Sequence, residues 1–319
     1  MLDLDRFARY AIVPSPRWIR GTGALLDVNA ALTRSRVVVE GTEHLPETPA
    51  LVATNSTQKY DFMPIRWALH RRGVRMVTIT KAKNYHSRPF AYFLGKTGVV
   101  PLASRGYFLV LDFQRVHRRR PTEDEYRALR TYLSDGTPLP DSLALRALET
   151  TPRGLLGETF APSSETYRDV LARLYRRMMG ESLRLCREAL DAGYHVQIYP
   201  EGTVSTRLAE GRIGAVQFAL ALGVPIVPAG MNGCRAGMRS VFLGGGEIRV
   251  RVGAPYVFPK ATVPDDFRPF DPDHERACRA ALQAGTDDLM GRIDALLDPE
   301  LRRAPGFRGD GTRGTSRFL

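Results

Sequence analysis

The chain has 319 residues, 43% hydrophobic and 25% charged, an ordinary globular composition with enough apolar material for a sizeable core. Its formal net charge of +12 is carried by five lysines and 41 arginines, a balance that suits phosphate or anionic lipid; no nucleic-acid motif accompanies it, so no nucleic-acid partner is expected. No run of about 18 apolar residues argues for a membrane-spanning helix, and the three cysteines, Cys186, Cys234 and Cys278, lack metal-ligand spacing and fit a reducing cytoplasm.

Residues 1–34 open with MLDLDRFARY, which lacks a basic region followed by an apolar core and so does not read as a signal peptide. Arg6, Arg9, Arg17 and Arg20 alternate here with Phe7, Tyr10 and Trp18. A helical layer packed on the core and a segment lying in a membrane interface both fit that pattern, with Pro14 and Pro16 expected to interrupt a long amphipathic helix. The main domain is expected over 35–300, and 301–319, rich in Gly and Arg, reads as a flexible tail.

Strands are expected at 36–40, 50–54 and 74–78, the second running into Asn55-Ser56-Thr57-Gln58-Lys59-Tyr60-Asp61. An apolar helix follows Pro89, and Gly98 to Arg105 reads GVVPLASR. Residues 107–163 hold the basic cluster Arg115 to Arg120 and two turn-rich stretches, as expected of an inserted lid, a membrane contact or a surface elaboration. Helical periodicity over 167–190 then leads to the apolar strand Val196 to Tyr199. Pro200 stops that strand, Glu201-Gly202-Thr203 follows, and a helix over 213–222 precedes a second strand at 224–227. Strand, polar turn, helix and strand make a βαβ-like unit, and open α/β sheets place ligands at the carboxyl ends of such strands. A closing helix is expected over 273–297.

Tyr199-Pro200-Glu201-Gly202-Thr203, Val224-Pro225-Ile226-Val227-Pro228 and the Asn-x5-Asp element at 55–61 resemble, in order, conserved blocks of the glycerolipid acyltransferases, the family of bacterial 1-acylglycerol-3-phosphate acyltransferase. The resemblance runs from about 36 to 258 and implies a mixed α/β domain with helices flanking a mostly parallel sheet. It also implies transfer of a fatty acyl group from acyl-CoA or acyl carrier protein to a lysophospholipid or other phosphorylated alcohol. That work would be done from the inner face of the membrane by a cytoplasmic, peripherally bound protein, with no metal and no cofactor beyond the thioester co-substrate.

The family's first block carries a His as general base, and this chain has Ser56 in that place beside a retained Asp61. A serine hydroxyl has no pKa near neutrality, so loss of a base typically worth ~10²- to 10⁴-fold is expected to impair the reaction. His70 falls on the wrong helix face, and His195 lies roughly 20 Å back along its strand, so neither is placed to substitute. By resemblance Glu201, Gly202, Thr203, Arg105, Arg207 and Arg212 would hold the acceptor and its phosphate, with Val224, Pro225 and Pro228 on the acyl-donor side. A lipid-binding pseudoenzyme is the alternative; serine hydrolysis through Ser56 has no Gly-x-Ser-x-Gly elbow to support it.

Overall fold

The computed structural model describes residues 2–58, 60–233, 246–307, 309 and 315–318; Cys234 lies outside them. Along the chain come α1 (Leu4–Ala8), α2 (Pro16–Thr33), β1 (Ser35–Glu40), β2 (Leu51–Thr54), α3 (Phe62–His70), β3 (Met76–Lys81), α4 (Arg88–Lys96) and β4 (Val99–Leu102). The middle of the chain supplies α5 (Arg105–His117), α6 (Glu123–Asp135), α7 (Leu143–Thr150), β5 (Arg153–Leu155), β6 (Glu158–Phe160) and α8 (Tyr167–Asp191). Then follow β7 (His195–Ile198), α9 (Gly214–Leu222), β8 (Ile226–Asn232), β9 (Gly246–Val252), α10 (Pro272–Ala277) and α11 (Arg279–Ala295).

Seven strands form a mixed sheet in the order β1-β9-β8-β2-β7-β3-β4. Every pairing is parallel except β8 with β9. Strands β2, β7 and β8 are buried along their whole length, as parallel strands covered on both faces require. Leu51 and Ala53 of β2 face one apolar layer, built with α5, α8, α9 and α11, whereas Ala50 and Val52 face a second layer that includes Ile65 and Leu69 of α3. The chain leaves β2 through α3 toward β3 and leaves β7 through α9 toward β8, on opposite faces and in opposite directions. Because β2 and β7 are neighbours, their carboxyl ends form the topological switch point, where the two connections part and leave a crevice.

Several expectations are corrected. Phe7 is not an interfacial residue: it is fully buried with Leu2 and Leu4, and the Leu2 amide donates to the Tyr107 hydroxyl at 2.9 Å. Pro16 starts the 18-residue α2 instead of interrupting it, because the first helical position needs no amide donor. Strand β8 begins two residues late: Gly223 takes a left-handed φ of 67° and the Val224 amide bonds back to Ala219 O, so Val224 closes α9. Nor is 301–319 wholly a loose tail, since Thr315–Phe318 forms a 3₁₀ turn whose Phe318 ring lies 4.9 Å from Tyr126.

The 107–163 segment is neither lid nor surface elaboration. Phe108, Leu109, Phe113, Leu129, Leu133 and Leu148 are fully buried in the main core, and Asp112 inside it accepts from Arg153 Nη2 at 2.6 Å and from the Tyr167 hydroxyl at 2.6 Å. We expect Leu129→Ala to lower unfolding stability by about 2–5 kcal/mol in denaturant titrations, the range for deleting a fully buried leucine side chain. A change under about 0.5 kcal/mol, as for a surface site, would show that α6 is dispensable to the core.

Candidate active site

Asn55 and Ser56 follow β2 directly, and Tyr199, Pro200 and Glu201 follow β7, so the parallel β2–β7 register brings the two motifs side by side. The Asn55 side chain extends the sheet ladder sideways: its Nδ2 donates to Met231 O at 3.0 Å, and the Met231 amide donates to Asn55 Oδ1 at 2.7 Å. Glu201 then bridges the loops. Its Oε1 accepts the Ser56 amide at 2.9 Å and its Oε2 the Ala209 amide at 2.8 Å, while the Ser205 amide donates to Ser56 O at 2.9 Å. Both backbone polar groups of Ser56 are thereby held.

Asp61, at the start of α3, closes the same loop. Its Oδ2 accepts the Thr57 amide at 3.1 Å, the Gln58 amide at 3.3 Å and the Ser56 hydroxyl at 3.4 Å; its Oδ1 accepts the Tyr199 hydroxyl at 2.7 Å. Asp61 and Glu201 are almost fully buried, and burial pushes their carboxyls up to about 6 and about 7, against the hydrogen bonds that favour the charged forms. The Asp61 charge adds to the rise at Glu201. Two carboxyls raised toward neutrality at a sheet switch point mark a candidate site. Thr57 Oγ1 and Ser205 Oγ are buried beside them with no hydrogen-bond partner among the described residues.

The structure brings Ser56, Asp61 and Glu201 together and places the other candidate residues in the turn after β7 or farther from it. Glu201 is not open to a crevice, because its carboxylate is used up clamping two loops. Gly202 takes a left-handed φ of 63° in a tight turn, its amide bonding Tyr199 O at 3.0 Å, and Thr203 is half-buried. Arg212 secures that turn, with its amide on Pro200 O at 2.9 Å and its Nε on Glu201 O at 3.1 Å. Arg207 Nη1 reaches Arg302 O at 3.5 Å. Arg105 is diverted into a cluster with Glu275, Ser134 and the Tyr175 ring, so a protein carboxylate takes its charge. Val224 and Pro225 lie before β8, whose Ile226 is level with Leu51 at the start of β2, so they sit at the opposite sheet edge from Ser56; Pro228 is buried within β8 opposite Ala53.

The six histidines do not restore a base. His195 Nδ1 accepts the Ala50 amide at 3.1 Å, and burial lowers its pKa; His86 contacts the Tyr107 hydroxyl, His117 Ala144 O, His44 Val252 O and His274 the Arg268 amide, while His70 stacks on Trp67.

Sequence reasoning also missed an apolar cavity of about 500 Å³ that begins at Tyr60 and Phe62, on either side of Asp61. Three helices wall it, each with one stripe at helical spacing: Ile19, Thr22, Gly23 and Leu26 of α2; Met63, Arg66, Trp67 and His70 of α3; Phe90, Phe93 and Leu94 of α4 with Thr97 just beyond. Gly23 permits the close approach of α2 and α3, since a Cβ there would meet the Trp67 ring at 2.4 Å. The stripes at i, i+3, i+4 and i+7 were visible in the sequence, but stripes alone do not show that three of them leave a space.

Residues 166–232, from the start of α8 through β8, match the family model described as Acyltransferase. The matched segment is similar to that family. It contains Tyr199 and Glu201, and so supplies half of the carboxyl pair. A solved structure described as the 1-acyl-sn-glycerophosphate (LPA) acyltransferase PlsC from Thermotoga maritima is similar at 16% identity and a TM-score of 0.42, over 86% of this chain and 80% of that one. No curated protein matches the chain.

In this segment the raised pKa of Glu201 has a definite consequence for stability. A carboxyl with a folded pKa near 7 and an unfolded value near 4.5 takes up a proton in the native state first, so its contribution to stability is lost as pH rises through that window. The loss of melting temperature in Glu201→Gln is therefore expected to be largest near pH 5 and to shrink toward pH 8. A loss that grew with pH would show that the two amides hold Glu201 charged.

Proposed function

We propose that this protein transfers a fatty acyl group from acyl-CoA or acyl carrier protein to the hydroxyl of a single-chain lipid such as a lysophospholipid. The observation that carries this reading is the apolar cavity lined by Tyr60 and Phe62 on either side of Asp61, beside a segment that matches the acyltransferase family model. Its volume lies inside the roughly 300–1,000 Å³ range of small-ligand sites, and its wall suits a hydrocarbon chain. With the chain held there, the lipid hydroxyl comes to the loop of Ser56 and Asp61, and the thioester approaches from the solvent side. Asp61 steadies the reacting centre, while Ser56 occupies the base position with a hydroxyl that cannot do a base's work.

A membrane-surface location supports the supply of such a substrate. Among the described residues no helix is long and apolar enough to cross a membrane. On α2, however, Trp18, Leu25, Val28 and Leu32 are exposed, and Tyr92 of α4 is exposed nearby. Arg17 and Arg20 lie exposed on the same helix, the combination that rests in the headgroup region of an anionic leaflet, which we place at the cytoplasmic face. A second reading, lipid binding without turnover, is favoured by one observation: every histidine is engaged away from Ser56 and Asp61.

Single-turnover release of CoA from palmitoyl-CoA with lysophosphatidate separates the two. We expect slow but measurable transfer by the wild type, raised in Ser56→His by anything up to the ~10²- to 10⁴-fold reach of general-base catalysis. If both proteins bind the lipid and neither transfers, the binding-only reading stands instead.

A further inference from the structure

Two arginines line the cavity: Arg75 lies over the Tyr194 ring, and Arg66 stands on the α3 face that also carries Met63, Trp67 and His70. Its Nη2 donates to Thr97 O, the carbonyl at the end of α4, at 2.5 Å. Among the described residues its buried Nε has no hydrogen-bond partner and no carboxylate pairs with the guanidinium. Capping α4 uses one of five N–H donors and sets the guanidinium against the negative end of that helix, but supplies no full counter-charge. Burial lowers its pKa to about 10, so it stays protonated at neutral pH. An unpaired charge against apolar walls is costly unless an anion joins it, and filling the cavity with plain hydrocarbon would desolvate the group further.

We propose that the cavity is built for a single-chain lipid bearing an anionic group, a phosphate or a carboxylate, which seats on the Arg66 guanidinium while the tail runs along the apolar walls. The Nε of Arg105 is likewise buried without a partner among the described residues, but Glu275 neutralises Arg105, whereas no carboxylate among them pairs with Arg66. Arg66 stands five positions beyond Asp61, the N-cap of α3, roughly 7.5 Å along the axis and about 140° round it, and its long side chain lines the same cavity as Tyr60 and Phe62 on either side of Asp61. The inference rests on the acyl-transfer reading only in naming that lipid an acceptor; the binding site itself needs no turnover.

The test is equilibrium binding, without a thioester, of lysophosphatidate, palmitate and neutral 1-palmitoylglycerol to the wild type, Arg66→Met and Arg66→Lys. We expect an anionic lipid to bind the wild type at least about ten-fold more tightly than 1-palmitoylglycerol, the preference to collapse in Arg66→Met, and Arg66→Lys to retain most of it. Tighter binding of lysophosphatidate than palmitate identifies the seat as one for phosphate, and the reverse as one for carboxylate. Equal binding of the neutral lipid by the wild type, which requires no variant to fold, overturns the proposal, as does a preference that survives unchanged in Arg66→Met. Anion selectivity without CoA release would leave this site standing and remove only the acyl-transfer reading.

Discussion

Two buried carboxylates hold the site together by accepting backbone amides. Glu201 takes one N–H from the loop after β2 and one from the loop after β7, and Asp61 takes two from its own loop and a hydroxyl from Tyr199. Loops at a topological switch point diverge to opposite faces of the sheet, and their amides have no ladder to join. A carboxylate with two acceptor oxygens is the shortest bridge between two such amides, and it fixes Ser56 by both its N–H and its C=O. The same burial that encloses the bridges raises both pKa values, so the clamped loops and the shifted carboxyls have one cause.

The cavity follows from the fold in the same way. Helix α3 turns Ile65 and Leu69 to the sheet, leaving the opposite stripe for α2 and α4 to cover. The aromatic cluster of Phe62, Tyr85, Phe90, Phe93 and Tyr199 links that wall to the Asp61 loop. Helix α2 packs closely on Trp67 through Gly23 while leaving Leu25 and Leu32 in solvent. A helix apolar on both sides suits the proposed place between the cavity and a membrane surface.

Much of the architecture was legible because it is local. The β7–turn–α9–β8 unit, the Asn55–Asp61 spacing and the family resemblance came from contiguous residues, and the structure places the two motifs side by side. What was not legible depends on distant partners. Nothing in GVVPLASR shows that Arg105 will meet Glu275, 170 residues on, or that Glu201 will be enclosed by amides from both sides. Insertion length suggested that 107–163 was peripheral, yet its helices carry fully buried aromatic and leucine faces. Arg66 was overlooked because a single arginine in an amphipathic helix reads as solvated; only the empty space beside it gives it a role.

The central claim is that a lipid chain occupies the space between α2, α3 and α4 with its head at Asp61. Photolysis of a lysophosphatidate carrying a diazirine in its chain, followed by peptide mapping of the adducts, tests this directly. The account predicts labels concentrated on 19–26, 63–67 and 90–94, suppressed by excess unlabelled lysophosphatidate. Labels at the separate cavity lined by Leu111, Arg115 and Leu155, or spread without competition over the surface, would contradict it.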